Sequence, residues 1–345
     1  EVKCWGYGDQ GIQGDGSTGA NVVPTTVLLG DYKAVDVSAS VGHSCAILEN
    51  GAAKCWGDNS QYQLGLGNTT DMGDSTAHSD NKMSFLNLAD GRTPVKISAG
   101  QAYSCVLQDS GNIACWGVGS YGRLGSGSSS GVSTPGISNV DIGTGMTALD
   151  VQTSASGYTS SYYYSNAGSY IHTCAIGDDE LLRCWGSNSH GQLGIGIGST
   201  TIGDGANEMG DNLMVSDIGD HVESVALGSY SSCAIREDGQ VRCWGYNGFG
   251  NLGHEDTTQR GDQTGEMGDD LPATELWLRA EDTDSDGTID LWDTDDDDDG
   301  SIDADDDFPL DECADTDTDG DGMPNDIVNS CTTTLIEDLD DDDDN

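Results

Sequence analysis

The chain has 345 residues, of which 61 are acidic and only 12 basic, for a formal net charge of −49. So acidic a surface repels phosphate backbones and anionic lipids, which argues against nucleic-acid binding, and no apolar run approaches the ~18 residues of a membrane helix. Apolar residues come in short clusters among Gly, Ser, Thr, Asp and Asn without sustained helical periodicity, so an all-β chain of short strands and polar turns is expected. No leader-like segment is present, as in a mature form.

In chain order, EVKCWG (1–6) comes first, and its Cys-Trp-Gly returns four times at spacings of 51, 60, 69 and 59. Each later copy closes an expected β-hairpin: HSCAILENGAAKCWG (43–57), YSCVLQDSGNIACWG (103–117), HTCAIGDDELLRCWG (172–186) and SSCAIREDGQVRCWG (231–245). Residue 1 is therefore expected to lie in mid-motif, with the first strand of that hairpin missing. A turn centred near Asn50 places Cys45 opposite Cys55, within disulfide reach of a non-hydrogen-bonded pair. The same ten-residue spacing joins Cys105 to Cys115, Cys174 to Cys184 and Cys233 to Cys243, and it favours an extracellular compartment. A small-residue strand precedes the hairpins, as in AVDVSAS (34–40), PVKISAG (94–100) and ESVALGS (223–229). A Gly-rich turn follows them, as in QYQLGLG (61–67), GRLGSG (122–127), GQLGIG (191–196) and GNLG (250–253). Fourth strands are expected at VPTTVLL (23–29) and LPATELWL (271–278). The Trp is expected to cap the packing between neighbouring sheets, which must stack radially to bury both faces.

The series of small-residue strand, H-[ST]-C-A-[IL], CWG-x-N and GQLG-x-G resembles the regulator-of-chromosome-condensation (RCC1-like) β-propeller family, in its cysteine-containing secreted prokaryotic form. The resemblance covers residues 1–280. It implies a β-propeller of four full blades plus a half blade, fewer than the family usually has, that binds partners through loops.

Residues 281–345 differ sharply, with 29 acids and no Lys or Arg, against 32 acids and all 12 basic groups in 1–280. Three segments, 282–293, 295–306 and 315–326, carry Asp-x-Asp-x-Asp-Gly. Alternate carboxylates converging on one ion, with Gly at the tight turn, is Ca²⁺ chemistry. The expected ligands are Asp282, Asp284, Asp286, Asp290 and Asp293; Asp295, Asp297, Asp299, Asp303 and Asp306; and Asp315, Asp317, Asp319, Asp321 and Asp326. Position twelve is Asp rather than the Glu of an EF-hand, so this helix-free module resembles thrombospondin type-3 calcium repeats. Three cysteines remain. Cys313 and Cys331 bracket the third loop and pair in the simplest assignment, leaving Cys4 free or bonded to another chain. NSCTTTLIED (329–338) also echoes the first strand of the repeat, and in that alternative it faces Cys4 and completes the half blade, within one chain or between chains.

No catalytic motif stands out, and a non-enzyme is expected. His43 and His172 share one repeat position and read as structural. The insertion before the third full hairpin displays Tyr158, Tyr162, Tyr163, Tyr164 and Tyr170 among Ser and Gly, the composition of adaptable recognition surfaces or of a decorated loop. DMGD (71–74), EMGD (208–211) and EMGDD (266–270) read as repeat-encoded turns before they read as Ca²⁺ sites. Asn68-Thr69-Thr70 is a candidate glycosylation site. The sequence therefore points to an extracellular, calcium-stabilised structural or adhesive surface protein, self-assembling into an oligomer or filament by strand complementation. The alternative is a secreted, inhibitor-like module that binds a protein or glycan through its loops.

Overall fold

The computed structural model describes residues 1–75, 83–88, 91–136, 139–155, 170–274, 283–284, 294–303, 305–314, 316–318, 322–327, 333, 335 and 337. Two compact modules divide the chain, Glu1–Thr274 and Glu275–Asn345. Among the described residues there is no α-helix, only antiparallel strands and short 3-10 turns, and no helix is long and apolar enough to cross a membrane.

Among the described residues, five sheets build the first module. The first pairs β1 (Lys3–Gly6) with β2 (Asn21–Thr26). The second holds β3 (Ala34–Ala39), β4 (His43–Leu48) and β5 (Ala53–Gly57). The third holds β6 (Pro94–Gly100), β7 (Tyr103–Gln108), β8 (Ile113–Gly117) and β9 (Asn139–Val140). The fourth holds β10 (Ala148–Thr153), β11 (His172–Gly177), β12 (Leu182–Ser187) and β13 (Thr201–Ile202). The fifth holds β14 (Val222–Leu227), β15 (Ser231–Arg236) and β16 (Val241–Gly245). Register puts each cysteine pair directly opposite, and Cys45–Cys55, Cys105–Cys115, Cys174–Cys184 and Cys233–Cys243 are joined with Cα atoms 4.0 to 4.1 Å apart.

The outer strand is the weakest part of each sheet. Where a full fourth strand was expected, the second and fifth sheets hold only single bridges, Lys54 to Phe85 and Gly57 to Met72 in the one and Gly245 to Arg260 in the other. LPATELWL forms no strand over its described residues 271–274; Pro272 has no N–H to give a ladder, and Thr274 N–H alone reaches Val241 C=O, at 2.7 Å.

Apolar clusters fill the gaps between consecutive sheets, each centred on the Trp of a Cys-Trp-Gly: Trp56, Trp116, Trp185 and Trp244 are at most 1% exposed. Each indole N–H donates to a loop carbonyl of the preceding repeat, on Ile12, Gln63, Arg123 and Gln192 respectively, at 2.9 to 3.0 Å. The last three carbonyls also accept a hydroxyl from the following sheet, that of Ser104, Thr173 or Ser232. Glycine two residues beyond each carbonyl makes room for the ring; a β-carbon on Gly65 would sit 2.7 Å from Trp116 Nε1. The small residues of the inner strands tie neighbouring sheets together: Ala99 N–H donates to Ser38 Oγ at 2.9 Å, and Thr153 N–H to Ser98 Oγ at 3.0 Å. Strands β4, β5, β7, β8, β11 and β12, covered on both faces, are buried along their whole length.

Candidate functional site

At the end where β11 and β15 begin and β12 and β16 finish, five aromatic side chains gather. Tyr170 and Tyr230 stand just before the two first strands; His190, Tyr246 and Phe249 follow the two second strands. Ring centroids are 4.6 Å apart for Tyr170–Tyr230, 5.5 Å for Tyr170–His190, 5.0 Å for His190–Tyr246 and 6.0 Å for Tyr246–Phe249. The cluster reaches solvent through Tyr230, 36% exposed, and Phe249, 89% exposed. Its base is fixed by polar anchors. His190 Nδ1 donates to Gln259 Oε1 at 3.0 Å, His190 N–H to Gln192 Oε1 at 2.8 Å, and Gln192 Nε2 to the Tyr170 carbonyl at 3.0 Å. Burial, then the neighbouring Tyr170 and Tyr246 phenols, hold Tyr230 above the usual tyrosine range.

Of the five expected loop tyrosines, Tyr170 is in this cluster; Tyr158, Tyr162, Tyr163 and Tyr164 lie outside the described residues, in the connection between β10 and β11. His190, Tyr230, Tyr246 and Phe249 were not anticipated. A signal existed: aligned on Cys-Trp-Gly, Tyr246 replaces Asp58, Val118 and Ser187, and Tyr230 replaces Gly42, Ala102 and Ile171.

The repeat-position histidines have a different place. His43 and His172 are fully buried, and the Nε2 of each lies 2.7 Å from a hydroxyl of the next sheet, Ser104 or Ser232. The EMGD strings are turns whose Glu accepts three backbone N–H groups on one oxygen: Glu208 from Gly203, Asp204 and Gly205, and Glu266 from Gly261, Asp262 and Gln263. Asn68 sits exposed, its Oδ1 accepting from Thr70 N–H at 2.9 Å. Cys4 is a half-buried free thiol whose pKa burial raises, and Cys313 is disulfide-bonded. Cys331 lies outside the described residues, as do Asp282, Asp286, Asp290, Asp293, Asp315, Asp319 and Asp321.

In the acidic module, carboxylate oxygens of Asp295, Asp297 and Asp299 lie within 4.8 Å of one another. Asp297 is only 5% exposed, with an Oδ2 that has no hydrogen-bond partner. Burial first, then the carboxylates of Asp299, Asp306 and Asp295, push Asp297 up to about 6. Gly300 N–H donates to Asp295 Oδ2 and Asp296 N–H to Asp303 Oδ1. The pattern recurs at Asp317, where Gly322 N–H donates to Asp317 Oδ2 and Thr318 N–H to Asn325 Oδ1. Asp326 directly follows Asn325 in sequence, and Asp284 lines one cavity together with Asp297. Three carboxylates crowded together, one of them buried with an oxygen that has no hydrogen-bond partner, are a donor set suited to Ca²⁺.

Stacked antiparallel sheets of two to four strands, each later one built on the same disulfide-linked hairpin, define a β-propeller architecture. Segments 34–63, 167–192 and 222–251 match the regulator of chromosome condensation (RCC1) repeat. The chain is similar to the ultraviolet-B receptor UVR8 of Arabidopsis thaliana, 29% identical over 66% of this chain and 45% of the relative. It superposes on human WBSCR16 at a TM-score of 0.55, with 20% identity over 73% of this chain and 57% of the other. Yeast RCC1 (Prp20), solved with Kap60, gives 0.53, with 16% identity over 80% and 55%. Three segments of the chain are thus RCC1-like repeats, the fold is that of an RCC1-like propeller, and the chain spans about half the length of these relatives.

Proposed function

We propose that this chain is an extracellular adhesive surface protein, a disulfide-stapled propeller that engages a protein partner through the aromatic surface, joined to a calcium-stabilised acidic module. The observation that carries this is the solvent-facing group of five rings on polar anchors: tyrosines supply large contact area at low entropic cost. Yeast RCC1, of the same fold, is solved bound to another protein, which supports a protein as the occupant. Four hairpin disulfides support an oxidising compartment. The buried Asp297 Oδ2, which has no hydrogen-bond partner, supports Ca²⁺ held by Asp295, Asp297 and Asp299; a bound ion would neutralise their mutual repulsion. Self-association is a second reading. Trp5 is 65% exposed where its four repeat equivalents are buried, and it lies beside the free Cys4 thiol.

One adhesion experiment tests these together. Beads coated with the full chain are offered to cell surfaces, to a glycan array, and to each other. Retention on cells that falls at least fivefold in Y230A/Y246A and F249A supports the proposal. Equal retention by the variants and wild type overturns it. Glycan-array hits lost in the same variants would make the occupant a glycan, and bead clumping abolished by C4S or W5A would make it a second copy of this chain.

A further inference from the structure

At the opposite end of the same sheets, donor side chains of two kinds converge. Glu180 lies in the turn between β11 and β12, His221 immediately precedes β14, and Glu237 opens the turn between β15 and β16. One donor atom from each lies within 4.8 Å of the others. His221 Nδ1 is 3.5 Å from Glu237 Oε2 and 3.9 Å from Glu180 Oε2, and Asp220 Oδ1 adds a third oxygen at 3.9 Å. The backbone holds the three in place: Val222 N–H donates to the Glu180 carbonyl at 2.9 Å, and Glu237 N–H to the His221 carbonyl at 3.1 Å.

Comparison among repeats shows what is special here. Glu49, Asp109 and Asp178 make the same backbone bond as Glu237, to Lys33, Thr93 and Thr147. In those repeats the turn acid has a simple answer: Lys33 faces Glu49 at 3.8 Å, Arg92 faces Asp109 at 4.0 Å, and Thr147 donates to Asp178 at 3.0 Å. In the last repeat an imidazole stands between two glutamates from consecutive repeats, and among the described residues neither glutamate pairs with Lys or Arg. Glu180 also occupies a glycine position. Its φ is 60°, where the equivalent Gly51, Gly111 and Gly239 have 77°, 77° and 82°. A β-carbon is disfavoured in that conformation, and such strain persists where the side chain has a use.

We propose that Glu180, His221 and Glu237 bind a divalent transition-metal ion of the zinc class, clamping the fourth and fifth sheets together. One imidazole nitrogen with two carboxylates suits Zn²⁺ and its neighbours, whereas Ca²⁺ takes oxygen donors only. Water completes the coordination.

The test uses the full chain, stripped with chelator and returned to saturating Ca²⁺ so that the acidic module is occupied. Zn²⁺ alone is titrated by calorimetry, and melting is followed with and without it. Wild type is expected to bind Zn²⁺ and to melt higher in its presence. H221A and E237Q are expected to lose affinity by on the order of tenfold or more. E180G restores the residue type of the other repeats, so it should melt no lower than wild type in chelator yet lose Zn²⁺ affinity similarly. Absence of Zn²⁺ binding by wild type, or unchanged binding in all three variants, overturns the proposal.

Discussion

His43 and His172 show how much one residue can carry without doing chemistry. Burial pushes them down to about 4 and about 3, so both are neutral in the folded chain at ordinary pH. Unfolded, each takes a proton near pH 6.5, so below that value the unfolded chain binds more protons. Their stability contribution is therefore fully present above about pH 6.5 and is lost as pH falls toward 4 and 3, by up to about 1.4 kcal/mol per pH unit per histidine. Denaturant midpoints of the propeller are expected to be flat above neutrality and to fall below pH 6.5, with a shallower acid limb in H172Q. An identical acid limb in that variant would refute the assignment. Repeat position alone marked these histidines as structural. What it could not reveal was the hydroxyl each one meets, because Ser104 and Ser232 lie some sixty residues further on. The aromatic surface was hidden for the same reason: Tyr170 stood out within a tyrosine-rich run, but Tyr230, Tyr246 and Phe249 flank the next hairpin, some sixty residues or more further on.

The hairpin is the element that could be read most directly. Ten-residue cysteine spacing, a Gly-bearing turn and a fixed Cys-Trp-Gly together determine partner, register and direction. Outer strands could not be read this way, because Met72, Val132 and Val215 each make a single bridge within segments that show no alternation. The element that joins repeats is the Gly-rich loop under the next tryptophan, and two glycines separate its two requirements. Gly65 has φ +71° and a β-carbon there would meet Trp116; Gly127 has φ +67°, and the nearest atom would be 3.5 Å away. Gly127→Ala therefore meets backbone strain alone, about 1 kcal/mol, while Gly65→Ala adds overlap with a buried ring and should cost about 2–4 kcal/mol. Equal shifts in denaturant midpoint would mean that the loop yields to the ring.

At the scale of the whole molecule, two modules rest on different physics: apolar clusters and disulfides in one, carboxylate geometry in the other. They should respond oppositely to acid. The raised carboxyl of Asp297 favours its folded loop below the unfolded value of 3.8, an advantage lost as pH rises through about 6 unless a cation supplies the missing charge. With chelator, hydrogen exchange across 294–303 should be slow in acid and fast above pH 6, and Ca²⁺ should restore protection at neutral pH while 1–274 stays unchanged. Exchange indifferent to Ca²⁺ would remove calcium from the account. The indole–carbonyl clasps, finally, all point one way. The carbonyl of Gln63 receives its tryptophan from 53 residues downstream, and those of Arg123 and Gln192 from 62 and 52. On the ribosome, a finished hairpin therefore waits unlatched until the next has been translated, so the order of synthesis is also the order of assembly. Under a pulling force applied downstream, the latches would release in the reverse order, one repeat at a time, while each disulfide caps the length of chain its own hairpin can pay out.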